Sequence, residues 1–291
     1  MDGPVTGQWT IRGMVEWMAR DFSSRGLASP RLDAELLVAH TLGLDRVGLY
    51  LDLDRPLADP ELDRLRALVG RRRKHEPVAY ILGRREFWGR SFEVGPAVLV
   101  PRPETETLVE RALELLEDDA TGPLLDLCTG SGAIALTLLA ERPALRADAT
   151  DISADALEVA ARNAEALGVA DRVRLLEGDL FAPLPAESRY RLAVCNPPYV
   201  AEADLETLAR DIVDHEPRVA LVAGADGLAV VRRLAGEARA RLEPGGVLLV
   251  EVGAGQAGAV TELLGAGGLE DASVHRDLGG VDRVVEARRL S

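Results

Sequence analysis

Leu124–Leu136 reads LLDLCTGSGAIAL, an apolar run suited to a buried strand, then a glycine turn, then an apolar stretch suited to a helix. Gly130 and Gly132 let the backbone approach a ligand closely and leave helix N–H groups facing it. Gly130 to Ala135 also fits the dinucleotide fingerprint G-x-G-x-x-A, with an acid, Asp151, about 20 residues on. Taken alone, the turn specifies a nucleotide-like cofactor and no more.

Outward from this turn, short apolar runs alternate with longer amphipathic stretches, the pattern of an α/β domain with a parallel sheet covered by helices. Strands are expected over Leu124–Cys128, Arg146–Thr150, Val173–Glu177, Leu192–Cys195 and Gly246–Val252. Helices are expected over Ala133–Glu141, Ala154–Leu167 and Leu228–Leu242, and a closing hairpin over Ala272–Leu278 and Arg283–Arg288. Upstream, apolar residues recur at helical spacing from Trp9 to about Glu76, and Ser29-Pro30 and Asp59-Pro60 read as a cap followed by proline at a helix start. Between the two regions, Gly83–Pro103 holds Phe87, Trp88 and Phe92 among glycines and prolines, which suits a short hairpin bridging two domains.

Of the 291 residues, 47% are hydrophobic and 28% charged, the balance of a globular chain. No window approaches the roughly 18 apolar residues of a membrane helix, and Met1–Thr10 lacks a basic flank and apolar core, so a cytoplasmic protein without membrane contact is expected. Two cysteines, Cys128 and Cys195, exclude a disulfide framework or a four-cysteine zinc cluster. No histidine has a ligand-spaced partner, so no metal site is expected. The net charge of −14 argues against stable nucleic-acid binding. The first 90 residues carry 15 basic and 13 acidic groups, so the acidity is concentrated in the remainder, which would attract a cationic partner. The cluster Arg71-Arg72-Arg73-Lys74 reads as a solvated helix face.

Three further features carry chemistry. Asp151, closing the second strand, is placed to accept from two ribose hydroxyls; the alternative is a helix N-terminal charge before Ser153. Asp179 is placed to accept from an adenine amino group while Leu180 covers the ring; the alternative is a turn aspartate. Asn196-Pro197-Pro198-Tyr199 follows the strand ending at Cys195. Its two prolines hold the Asn196 side chain and the Pro197 carbonyl as fixed acceptors for the two protons of a planar NH2 group, with Tyr199 as a flat packing face. An Asn-Pro turn with a buried tyrosine is the alternative.

Asn-Pro-Pro-Tyr after the fourth strand, with the Asp126–Gly132 turn, resembles the S-adenosylmethionine-dependent amino-group methyltransferases. Glu76–Gly83, Phe87-Trp88-Gly89, Pro101–Glu106, Glu216–Leu221 and Asp277–Arg283 together resemble the release factor glutamine methyltransferase family (HemK/PrmC) over nearly the whole chain. The resemblance implies a Rossmann-like methyltransferase domain over 104–291, a hairpin linker over 84–103 and a small helical substrate-recognition domain over 1–83. It implies transfer of a methyl group from S-adenosylmethionine, leaving S-adenosylhomocysteine, to N5 of the GGQ glutamine in class-1 peptide chain release factors. Cys128, Thr129, Gly130, Ser131 and Gly132 would form the cofactor loop, with Asp151, Asp179, Leu180 and Asn196 completing that site. Asn196 to Tyr199 would form the catalytic and glutamine-binding site, with Arg102 and Glu104 at its mouth. The family commonly has glycine at position 128 and an aromatic at 180, so the cofactor pocket departs from its pattern here. A ribosomal-protein glutamine or an adenine amino group offers the same NH2 geometry and stays an alternative; a dehydrogenase or a non-catalytic binder fits the glycine turn alone. Cys128 and Cys195 end strands expected to be neighbours, which leaves open whether their thiols lie close together; two small buried residues with no redox role is the alternative.

Overall fold

The structure is a computed structural model in which residues 8–291 are described; Met1–Gly7, within the stretch read above for a targeting signal, lies outside them. The chain divides into two compact units, the first running up to Gly83 and including Ala209–His215, the second comprising Arg84–Leu208 and Glu216–Ser291. Among the described residues no helix is long and apolar enough to cross a membrane.

The first unit holds α1 (Ile11–Ser23), α2 (Pro30–Leu42), α3 (Arg46–Leu51), α4 (Asp59–Arg72) and α5 (Val78–Leu82). α1 starts where the Thr10 hydroxyl accepts from Gly13 N at 3.2 Å, and it buries Ile11, Met14, Val15, Met18 and Phe22 along one stripe. The start of α4 differs from expectation. Asp59 is already helical, and Glu61 reaches back to accept from Ala58 N at 2.8 Å, so the third residue of the helix supplies the cap that Asp59 was expected to provide. Only part of the Arg71–Lys74 cluster is the solvated face expected: Arg71 and Lys74 are exposed, Arg73 is half-buried and Arg72 is not solvated. Arg72 is buried, with Nε 2.8 Å from Asp33 and Nη2 3.5 Å from Asp211. Arg71 pairs with Glu76, and Arg73 holds both oxygens of Asp21 at 2.7 and 2.8 Å while lying 5.5 Å above the Trp17 ring. Arg72 and Arg73 are claimed by carboxylates 39 and 52 residues away, which no local pattern could reveal.

The second unit begins with the hairpin β1 (Arg84–Phe87) and β2 (Arg90–Glu93), turning through Trp88 and Gly89, both at positive φ. This hairpin is packed into the unit. Phe87 and Phe92 meet edge to face at 6.0 Å in the core, Trp88 N donates to Glu106, and Glu93 N donates to the Asn163 side chain at 2.7 Å. There follow α6 (Glu106–Leu115), β3 (Pro123–Leu127), α7 (Ala133–Glu141), β4 (Arg146–Asp151), α8 (Ala154–Ala166), β5 (Val173–Glu177) and β6 (Tyr190–Cys195). The short helix α9 (Arg210–Val213) falls in the excursion assigned to the first unit, and α10 (Ala229–Arg241), β7 (Leu242–Glu251), α11 (Ala257–Ala266), β8 (Glu270–Arg276) and β9 (Asp282–Arg288) complete the chain.

The sheet order is β5-β4-β3-β6-β7-β9-β8, with β3 to β7 parallel and β8 and β9 antiparallel. Alternation along each strand feeds two cores. Leu124, Leu192 and Val194 join α6, α7 and the hairpin phenylalanines, whereas Leu125, Leu127, Ala193 and Cys195 join α10 and α11. α11 escapes the sequence reading because Gly258 and Gly265 make it resemble loop; burial of Ala257, Val260 and Leu264 holds it helical. Chain order reverses at β3, which has β4 on one side and β6 on the other, so a crevice opens at the C-terminal ends of these strands.

Candidate active site

That crevice is a cavity of about 240 Å³ lying wholly within the second unit. Ten of the residues singled out from sequence line it: Arg102, Cys128, Thr129, Gly130, Ser131, Asp151, Asp179, Leu180, Asn196 and Pro198. Gly132, Pro197, Tyr199 and Glu104 are not among its lining residues.

The turn after β3 is organised by two carboxylates. Asp126, fully buried, accepts at Oδ2 from the Thr129 hydroxyl at 2.7 Å and from Ala135 N at 3.2 Å, while its Oδ1 has no partner. Burial pushes its carboxyl up to about 7. Asp151 accepts from Gly130 N at 2.8 Å with one oxygen and from Ser153 N at 2.9 Å with the other, which leaves acceptor capacity for a ligand hydroxyl. Burial raises its pKa despite these donors. The two readings of Asp151, turn organiser and ligand acceptor, are therefore compatible.

Gly130 has φ +55°, and a Cβ there would meet nothing within 4 Å, so the loop presents bare backbone to the cavity. Cys128 and Leu180 occupy the same left-handed region, with φ 60° and 48°. That conformation costs an L-residue roughly 1–2 kcal/mol and explains why glycine suits position 128. The strands expected to be neighbours are adjacent: Leu127 pairs in register with Cys195, and burial, with Cys128 close by, raises the Cys195 thiol well above its ordinary range.

Two expected ligand contacts already have protein partners. Asp179 forms an ion pair with Arg233 of α10, which also lines the cavity. Arg102 places Nη2 at 2.7 and 2.8 Å from the two oxygens of buried Glu216, tying the Pro101–Pro103 segment to the loop at Pro217. The sequence reading missed Ile152 and Val219, apolar side chains that stay more than half exposed at the cavity wall, where a flat ligand could cover them. It also missed Thr105 and Glu251 beneath Asn196. A lone acid closing the apolar run Val247–Val250 was a legible signal for Glu251; Thr105 lies within the Pro101–Glu106 motif, but nothing there singles out its hydroxyl.

The Asn-Pro-Pro-Tyr segment leaves β6 at Cys195. Asn196 Nδ2 donates to the Thr105 hydroxyl at 3.4 Å. The Tyr199 carbonyl accepts from Gln256 Nε2 at 2.9 Å, and Gln256 Oε1 accepts from Gly253 N at 3.0 Å. A Cβ on Gly227 would lie 2.3 Å from the Tyr199 carbonyl oxygen, so glycine is required for this approach. The phenol is pushed up to about 12, chiefly by burial.

A largely parallel sheet with a glycine turn after β3, an acid ending β4 and an Asn-Pro-Pro-Tyr segment after β6 defines a Rossmann-like methyltransferase. Residues 14–83 match the PrmC N-terminal domain, and residues 105–226 match the methyltransferase small domain. The chain is 44% identical over 280 residues to the release factor glutamine methyltransferase of Geobacter sulfurreducens, covering 96% of this chain and 97% of that one. It is 47% identical over 266 residues to that of Cereibacter sphaeroides, covering 91% and 94%. The chain belongs to the release factor glutamine methyltransferase family. A methyltransferase structure from Pyrococcus furiosus, 18% identical with a TM-score of 0.51 over 70% of this chain and 90% of that one, shares the fold.

Proposed function

We propose that the chain methylates N5 of the GGQ glutamine in class-1 peptide chain release factors, with S-adenosylmethionine as donor. The observation that carries the reading is Asn196-Pro197-Pro198-Tyr199 held at the end of β6 beside the cavity, together with the names of relatives that match nearly the full length. Gly130 offers open backbone, Asp151 keeps acceptor capacity, and Ile152 and Val219 offer apolar faces, which suits a ribose and a flat base. When bound, the cofactor supplies an electrophilic methyl group on a sulfonium.

The residues act by positioning. An amide nitrogen is a weak nucleophile because its lone pair is delocalised. Asn196 Oδ1 and the Pro197 carbonyl accept its two protons, fix the NH2 group and favour the pyramidal nitrogen needed for in-line attack. Tyr199 packs against the glutamine side chain. The methylated nitrogen is strongly acidic and loses its proton to solvent, so no histidine base is needed. Cys128 to Gly132 and Leu180 hold the cofactor, and Arg102 and Glu104 frame the entrance to the glutamine site.

The test is intact-mass and peptide mapping of a release factor incubated with the protein and S-adenosylmethionine, beside a release factor carrying Ala for the GGQ glutamine. One methyl is gained by the first and none by the second. Asn196→Ala keeps S-adenosylmethionine binding while transfer falls about 100-fold or more. Unchanged turnover in that variant refutes the role of Asn196. Methylation of a ribosomal protein or an adenine base, with the release factor unmodified, moves the reading to those substrates.

A further inference from the structure

Glu251 ends β7, and because Cys195 pairs with Val250 in register, it stands level with Asn196 on the adjacent strand. It is 2% exposed, and its Oε2 has no hydrogen-bond partner. Thr105 and Asn196 neighbour the carboxyl, and both act to hold its pKa down against burial. The charged and titratable groups facing it are Arg283 from β9, Glu104 from the turn before α6, and Cys195 and Tyr199 from β6 and its extension. Arg283 is committed to Asp277 at 2.9 Å, and among the described residues no cation is within ion-pair distance of Glu251.

A buried carboxylate without a cation is costly, so an amide or an apolar side chain would serve packing better. What the carboxylate adds is direction. The terminal amide of Asn196 fits its space in two orientations, and the Thr105 hydroxyl, both donor and acceptor, discriminates neither. A carboxylate only accepts. A Thr105 hydroxyl proton turned toward that carboxylate leaves Thr105 Oγ1 to accept from Asn196 Nδ2, the one bond of this chain seen directly, at 3.4 Å.

We propose that Glu251 is a positioning residue for methyl transfer: as a carboxylate it sets the direction of the Asn196–Thr105–Glu251 chain so that Asn196 presents Oδ1, not NH2, to the nitrogen being methylated. The proposal rests on the reading of Asn196 as the substrate acceptor. Protonated Glu251 becomes a donor, the chain can reverse, and the NH2 of Asn196 then opposes the NH2 of the substrate. Burial pushes Glu251 up to about 7, so this reversal falls within the working pH range.

The experiment measures kcat for release-factor methylation against pH, with S-adenosylmethionine affinity by calorimetry, for the wild type, Glu251→Gln, Thr105→Val, Thr105→Ser and Asn196→Ala. The wild type loses kcat on the acid side with a midpoint near 7. Glu251→Gln loses roughly 10- to 100-fold in kcat at alkaline pH, binds the cofactor within about twofold of the wild type, and lacks the acid limb. Thr105→Val reproduces that loss and Thr105→Ser restores activity, which tests the chain even if Glu251→Gln does not fold. Wild-type kcat in Glu251→Gln or Thr105→Val, or an unchanged acid limb in either, overturns the proposal. If Asn196→Ala also retains full turnover, the underlying reading of Asn196 fails; if it alone abolishes transfer, only the role of Glu251 does.

Discussion

Gly227→Ala tests whether the Asn-Pro-Pro-Tyr segment is held by its packing. Gly227 has φ +74°, and a Cβ there would lie 2.3 Å from the Tyr199 carbonyl oxygen and 2.9 Å from Gln256 Nε2, the two atoms that hydrogen-bond each other. Gly168, in the same unit, has φ +68° with nothing within 4 Å, so Gly168→Ala isolates the backbone cost, roughly 1–2 kcal/mol. Gly227→Ala carries that cost plus about 1–3 kcal/mol for forcing the carbonyl away. At roughly 2–4 °C per kcal/mol for a unit of this size, the second variant melts several degrees below the first. Displacing Tyr199 also moves Asn196, so kcat falls about tenfold or more while cofactor affinity is kept. Calorimetric melting and a single-turnover methylation assay read the two effects. Equal melting temperatures for the two variants, with wild-type transfer in Gly227→Ala, would refute the reasoning.

Asp126, held at about 7 by burial, binds a proton in the folded state that the unfolded chain releases near pH 4, so its contribution to stability falls as pH rises from about 4 to about 7 and is level above that. The full difference is at most ~4 kcal/mol, and Asp126→Asn, which cannot ionise, therefore loses less stability than the wild type between about pH 5 and about pH 8. Parallel denaturation curves at the two pH values contradict this. In the first unit, Arg72→Ala strands buried Asp33 without its guanidinium and destabilises the unit by about 3–5 kcal/mol, whereas Arg72→Met with Asp33→Leu recovers most of the loss. Urea denaturation decides it; a loss under about 1 kcal/mol in the single variant shows that the pair contributes little.

The strand and helix pattern of the second unit was legible because parallel strands buried on both faces read as apolar runs and their covering helices as amphipathic ones. Boundaries moved by a few residues, most at β7, which begins at Leu242 where the sequence suggested Gly246. α11 was hidden by its glycines, and its helicity comes from what Ala257, Val260 and Leu264 pack against. The hairpin aromatics announced burial but not the partner, since Phe87 and Phe92 join a core built from α6 and α7.

The chain's own order determined the glycine turn after β3, the acid ending β4 and the Asn-Pro-Pro-Tyr segment after β6, because each is a short segment whose backbone preference is local. Tertiary structure alone decided which charges were already spoken for: Glu216 claims Arg102, Arg233 claims Asp179, and Asp33 claims Arg72 across separations that no motif spans. It also set Glu251 and Thr105 beneath Asn196. Hydrogen bonds and burial depend on distance in space, and 91 residues separate Thr105 from Asn196 along the chain.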